Sequence, residues 1–179
     1  LRIVLAFICI GLIISNSNLS LILALVVFVL ASLTDFFDGY LARKYNLISD
    51  LGKILDPIAD KILIIGVFCA FLQLGIVNAW MVALIMLREF VITGLRLYAL
   101  RKGVVLAARA LGKHKTVSQV GGIVVILITL ILSEVLPSST SVMFLYTKFI
   151  PMIMWYIVVI TIFSGINYFW SNRRAIVSF

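Results

Sequence analysis

Residues 20–43 read SLILALVVFVLASLTDFFDGYLAR. From Ser20 to Ser32 the stretch is apolar, and then Asp35, Asp38 and Arg43 turn its last three turns polar. A run of this length matches the ~20 residues that cross a bilayer core. It reads as a membrane helix with chemistry at one end. Asp35 precedes Arg43 by eight residues, which at the helical rise places it about 12 Å inside that end. A carboxylate at such depth is costly unless it faces a cavity or partners.

Working outward, Gly52, Asp56 and Asp60 follow at i, i+4 and i+8. Side chains three and four residues apart share a helix face, so Asp35 with Asp38 and Asp56 with Asp60 each form a stripe. Five of the seven acidic residues, with Asp50 among them, fall within 26 positions. If the two helices are neighbours, four carboxylates meet across one seam. Like charges that close require a cation, and hard oxygen ligands select Mg2+, Mn2+ or Ca2+. Fraying of a helix end into water accounts for one aspartate but not for four in register. The only histidine, His114, gives no zinc set. Gly39 and Ala42 on the same helix either permit close packing or leave room for a ligand.

The chain has 179 residues, 64% hydrophobic and 12% charged, with a mean hydropathy of +1.23. These values describe one all-α integral membrane domain over residues 1–179, not a soluble one. Six transmembrane helices are expected over roughly residues 1–14, 20–43, 51–75, 79–101, 115–136 and 146–171. The first would cover only about 21 Å, so the true N-terminus is expected upstream. A signal peptide over residues 1–17 is the alternative. Cys9 and Cys69 fall within apolar spans and read as small buried hydrophobes rather than a disulfide pair.

Net charge is +8, but its placement describes topology rather than nucleic-acid binding. Arg43, Lys44 and Lys53 flank the second connection, Arg101, Lys102, Arg109, Lys113 and Lys115 crowd the fourth, and Arg173 and Arg174 close the chain. Residues 15–19 and 75–78 are uncharged, and the fifth connection carries Glu134 and Lys148. The positive-inside rule then puts both termini in the cytoplasm, which an even number of spans satisfies. A multi-pass protein of a bacterial inner membrane, with its active site at the cytoplasmic face, is the expectation.

Ser49 or Asp50 is expected to cap the third helix, with Pro57 bending it from within; alternatively Asp56 is the cap and Pro57 the first helical residue. Lys61 is expected to snorkel to the interface. The fourth span contains Arg88, Glu89 and Arg96. Glu89 and Arg96 share a face and could pair, whereas adjacent residues diverge, so Glu89 is not expected to neutralise Arg88. Arginines near a carboxylate and metal cluster suggest an anion, and their forked donors suit phosphate. Residues 102–115 form either a solvated basic loop or, at Gly112-Lys113-His114-Lys115-Thr116, an anion site opening the next helix. In the last two spans Gly121-Gly122 would allow close helix contact, Pro137 ends the fifth span, and Trp155, Tyr156, Tyr168 and Trp170 read as interfacial or packing aromatics.

Written as Asp35-x2-Asp38-Gly39-x2-Ala42-Arg43-x8-Gly52-x3-Asp56-x3-Asp60, the central stretch resembles the defining motif of the CDP-alcohol phosphatidyltransferase family at all eight fixed positions. Arg88-Glu89-Phe90, Gly94-Leu95-Arg96 and Gly112-Lys113-x-Lys115-Thr116 with Gln119 are similar to the branch that makes phosphatidylglycerophosphate. The family's usual Asn-Pro-Asn opening is absent, with Arg2 as its remnant. The resemblance implies a six-helix membrane fold, usually a homodimer, holding two divalent ions, Mg2+ or Mn2+, on Asp35, Asp38, Asp56 and Asp60. It implies CDP-diacylglycerol bound by Asp35, Asp38, Gly39, Ala42, Arg43 and Gly52, and Asp60 as the base that takes the acceptor's proton. Arg88, Arg96, Lys113 and Lys115 are expected to hold the phosphate of sn-glycerol 3-phosphate. The rivals are a sister enzyme using inositol phosphate, serine or a phosphatidyl lipid, and a divalent-cation transporter. Transporter sites lie near the midplane between internal repeats, and no repeat is found here.

Overall fold

In the computed structural model the backbone is described for residues 2–45, 50–101, 110–136 and 139–177, and side chains for residues 2–34, 61–99, 101, 112, 114–136 and 139–173. Among the described residues the chain is entirely helical: α1 (Arg2–Ser15), α2 (Asn18–Tyr45), α3 (Asp50–Gln73), α4 (Ala79–Arg101), α5 (Ala110–Val135), α6 (Thr140–Phe144), a π-helical turn (Leu145–Phe149) and α7 (Ile150–Val177). The last three run on as one rod, because Pro151 lacks the N–H that would reach back one turn and the helix widens just before it.

The connections follow from their residues. Asn16 takes the left-handed backbone conformation (φ 48°) that asparagine tolerates. Ser17 and Ser20 then cap α2 reciprocally, the Ser20 N–H donating to Ser17 Oγ at 3.3 Å and the Ser17 N–H to Ser20 Oγ at 2.9 Å. At the end of α3, Gly75 (φ 70°) closes a Schellman turn: its N–H donates to the Leu72 carbonyl at 3.0 Å and the Ile76 N–H to the Phe71 carbonyl at 2.9 Å. Asn78 opens α4, its Oδ1 accepting from the Trp80 N–H at 3.0 Å.

Helix α3 runs unbroken from Asp50 through Pro57, so the continuous-helix reading holds and Asp56 does not start a separate one. Ser49 lies outside the described residues. Helix α1 packs against both α2 and α3, α4 against α3 and α7, and α5 against α2, α3 and α7. Phe28, Phe68, Phe71, Ile123, Leu127 and Ile157 are fully buried at the centre. Gly122 makes the α5–α7 approach possible, since a Cβ there would overlap the Ile157 side chain. Gly121 faces open space, so only one glycine of the expected pair serves packing.

Outward faces are apolar as well. Phe7, Leu87, Phe163 and Ile166 are each about two-thirds exposed, a surface suited to lipid rather than water. Among the described residues two segments, His114–Val135 and Thr140–Arg173, are long and apolar enough to cross a membrane. Cys9 is buried as expected, but Cys69 is on the exposed face of α3. Tyr168 is buried, while Trp155, Tyr156 and Trp170 are exposed.

Candidate functional site

Asp35 and Asp38 lie on α2, and Asp56 and Asp60 on α3, each pair on one uninterrupted helix. Gly39, Ala42 and Arg43 follow on α2 and Gly52 lies on α3, but the side chains of all these residues and of Lys113 lie outside the described ones. The donor set is chemically coherent: four carboxylates and no sulfur or imidazole, the hard-oxygen chemistry that suits Mg2+ or Mn2+.

One residue beyond Asp60 the described side chains begin, and they begin with a charge cluster. Lys61 Nζ is 3.4 Å from Glu89 Oε2. Arg88 Nη1 donates to Glu89 Oε1 at 3.3 Å, and Lys115 Nζ also donates to Glu89 Oε1. Three cations from α3, α4 and α5 thus surround one carboxylate. Lys115 is 6% exposed and Glu89 5%. Helix α7 closes the group: Arg88 Nη2 donates to Ser164 Oγ at 2.9 Å, and Gln119 Nε2 to Thr161 Oγ1 at 3.5 Å. The Arg88 stem crosses Gly165, where a Cβ would meet its Cγ at 3.2 Å.

Several expectations are corrected here. Lys61 does not snorkel away; a buried carboxylate one helix over offers its ammonium a stronger partner than the interface does. Adjacency does not keep Glu89 from Arg88, because the guanidinium stem is long enough to fold back along the helix. Nor does Glu89 pair with Arg96: among the described residues its carboxylate meets Lys61, Arg88 and Lys115, and Arg96 is exposed and joins none of these pairs. Of the four expected acceptor-binding residues the structure brings Arg88 and Lys115 together on Glu89, while Arg96, exposed and in none of these pairs, is still near enough for its charge to act on Arg88. His114 is exposed and outside the cluster.

Among the described side chains the cluster carries three positive charges against one negative. Burying unbalanced charge is expensive, and the imbalance has a counterpart in unused donors. Two lysines and an arginine offer about eleven N–H groups, while a carboxylate accepts about four. Among the described residues the donors Arg88 Nε and Tyr168 OH are buried without a hydrogen-bond partner. Such a group can take an oxyanion with several acceptor atoms.

Residues 1–163 match the family model for CDP-alcohol phosphatidyltransferase. The chain belongs to this family. Among its relatives, a CDP-diacylglycerol–glycerol-3-phosphate 3-phosphatidyltransferase of Bacillus subtilis (strain 168) is 41% identical over 151 residues, covering 84% of this chain and 74% of the relative. An enzyme of the same name from Rickettsia bellii (strain RML369-C) is 38% identical over 159 residues, covering 89% of this chain and 83% of the relative. In this CDP-alcohol phosphatidyltransferase, the acidic motif and the cation cluster meet in α3, at Asp60 and Lys61.

The signal for the α7 contribution was present as Thr161, Ser164, Gly165 and Tyr168, a stripe at i, i+3, i+4 and i+7 on an otherwise apolar span. Helical spacing alone would have singled it out.

Proposed function

We infer that this chain transfers the phosphatidyl group of CDP-diacylglycerol to sn-glycerol 3-phosphate, releasing CMP and forming phosphatidylglycerophosphate. The observation that carries the acceptor is the excess of cations among the described side chains: buried Lys115 with half-buried Lys61 and Arg88, three against the one carboxylate of Glu89. A phosphorylated alcohol supplies the missing negative charge; serine does not. The names of the relatives point to the same acceptor.

In the proposed reaction the primary hydroxyl of glycerol 3-phosphate attacks the diacylglycerol-linked phosphorus in line. A P–O bond forms to the acceptor, the pyrophosphate P–O bond breaks, and CMP departs. Asp60 takes the hydroxyl proton. Asp35, Asp38, Asp56 and Asp60 would hold two divalent ions, which when bound polarise the pyrophosphate and neutralise charge on the leaving phosphate. Arg43 and the carboxylate helices hold the CDP-lipid, with Gly39, Ala42 and Gly52 leaving room for the cytidine. Arg88 and Lys115, joined by Arg96 and Lys113, hold the acceptor phosphate.

The same reading takes all six long helical segments as spans. It places the site toward the cytoplasmic face of a bacterial inner membrane and pairs the chain as a homodimer. The apolar outer faces support the spans, and the concentration of basic residues on alternate connections supports the orientation.

The test is CMP release by purified protein in detergent, with CDP-diacylglycerol, Mg2+ and either glycerol 3-phosphate, inositol 1-phosphate, serine or no acceptor. Release with glycerol 3-phosphate alone, abolished by chelation and restored by Mg2+ or Mn2+, is the expected result. Release with a different acceptor would move the specificity. Absence of release with every acceptor would overturn the transferase reading.

A further inference from the structure

Glu89 has no part in the transfer as set out above, yet it is the residue that the three cations share. Its Oε1 accepts from Lys115 Nζ and Arg88 Nη1, and its Oε2 lies 3.4 Å from Lys61 Nζ. Left to themselves these cations would repel one another, and their flexible stems would let them separate. A single carboxylate between them holds all three within one small volume. It does so without consuming them, since it accepts about four of about eleven N–H donors. Ser164 fixes the far side of Arg88, and Arg88 Nε stays without a partner among the described residues.

We propose that Glu89 is the positioning residue of the acceptor site, gathering Lys61, Arg88 and Lys115 into one donor group shaped for a phosphomonoester dianion. Lys61 thereby joins the residues that contact the acceptor phosphate. The inference rests on the transferase reading for the identity of the acceptor, but the anion site itself can be measured without turnover.

The experiment compares the full chain in detergent with its Glu89→Gln and Glu89→Asp variants by two readouts. One is the thermal shift caused by glycerol 3-phosphate or inorganic phosphate; the other is the KM for each substrate in CMP release. Glu89→Gln is expected to raise the glycerol 3-phosphate KM about tenfold, equivalent to one charge-assisted hydrogen bond. It should leave the CDP-diacylglycerol KM unchanged and abolish the phosphate-induced shift. Glu89→Asp keeps the charge and should restore most of both. If Glu89→Gln does not fold, Lys61→Gln takes its place, with the same selective rise in acceptor KM expected.

An unchanged acceptor KM in the variant that folds overturns the proposal. So does an equal loss for both substrates with a lowered melting temperature, which assigns Glu89 to helix packing alone. A parent protein that shows the phosphate shift, lost in Glu89→Gln, but no CMP release refutes the transferase reading and leaves the anion site standing. Neither shift nor release overturns both.

Discussion

Arg88→Lys separates the geometry of this cluster from its charge. The guanidinium bridges two helices, with Nη1 3.3 Å from Glu89 Oε1 and Nη2 2.9 Å from Ser164 Oγ. A lysine keeps the positive charge but brings one nitrogen on a flexible stem, and cannot hold the same fork. The substitution therefore forfeits at least one charge-assisted hydrogen bond, worth about 1.5–3 kcal/mol. The side chain is only 14% exposed, so water replaces that bond poorly. At 1.4 kcal/mol per decade the expected loss is about 10- to 150-fold in kcat/KM for glycerol 3-phosphate. Initial rates of CMP release, taken at saturating CDP-diacylglycerol across a range of acceptor concentrations, measure it directly. The KM for CDP-diacylglycerol serves as the control. A loss smaller than twofold would refute the argument that the fork, rather than the charge, places Arg88. An equal loss for both substrates would move Arg88 from acceptor binding to helix packing.

Asp60→Asn is expected to abolish turnover while sparing CDP-lipid binding, and wild-type turnover in that variant would remove Asp60 as the base. Gly122→Val should push against Ile157 and Ile153, costing about 1–3 kcal/mol, or roughly 2–12 °C in thermal midpoint for a chain of this size. Gly121→Val, facing open space, should leave the midpoint in place, and equal drops in the two variants would contradict the α5–α7 packing. A membrane-permeant maleimide should modify Cys69 and spare Cys9, in keeping with their exposure. A charged maleimide should modify neither in membranes, and rapid modification of Cys69 by it would place that face of α3 in water.

Much of the helical layout was legible in local pattern. The expected span at residues 79–101 coincides with α4, and the remaining spans differ mainly at their ends. The sixth is expected from about residue 146, yet its rod starts at Thr140, because Thr140 and Ser141 continue the polar run of Ser138 and Ser139 and hide the helix start. Lys61 and Glu89 were misread for a different reason. Spacing along one helix says nothing of the Lys61–Glu89 and Lys115–Glu89 pairs, which join different helices, nor of the Arg88 stem folding back onto its neighbour Glu89.

The sequence by itself determined the membrane character, the helix positions and the acidic motif, since hydropathy and i, i+3, i+4 spacing are properties of one helix at a time. The union of Glu89 with Lys115, 26 residues away, and of Arg88 with Ser164, 76 residues away, was decided only in the tertiary structure. Which helices become neighbours depends on contacts such as Gly122 against Ile157, and spacing within one helix holds no information about the residue facing it across the bundle.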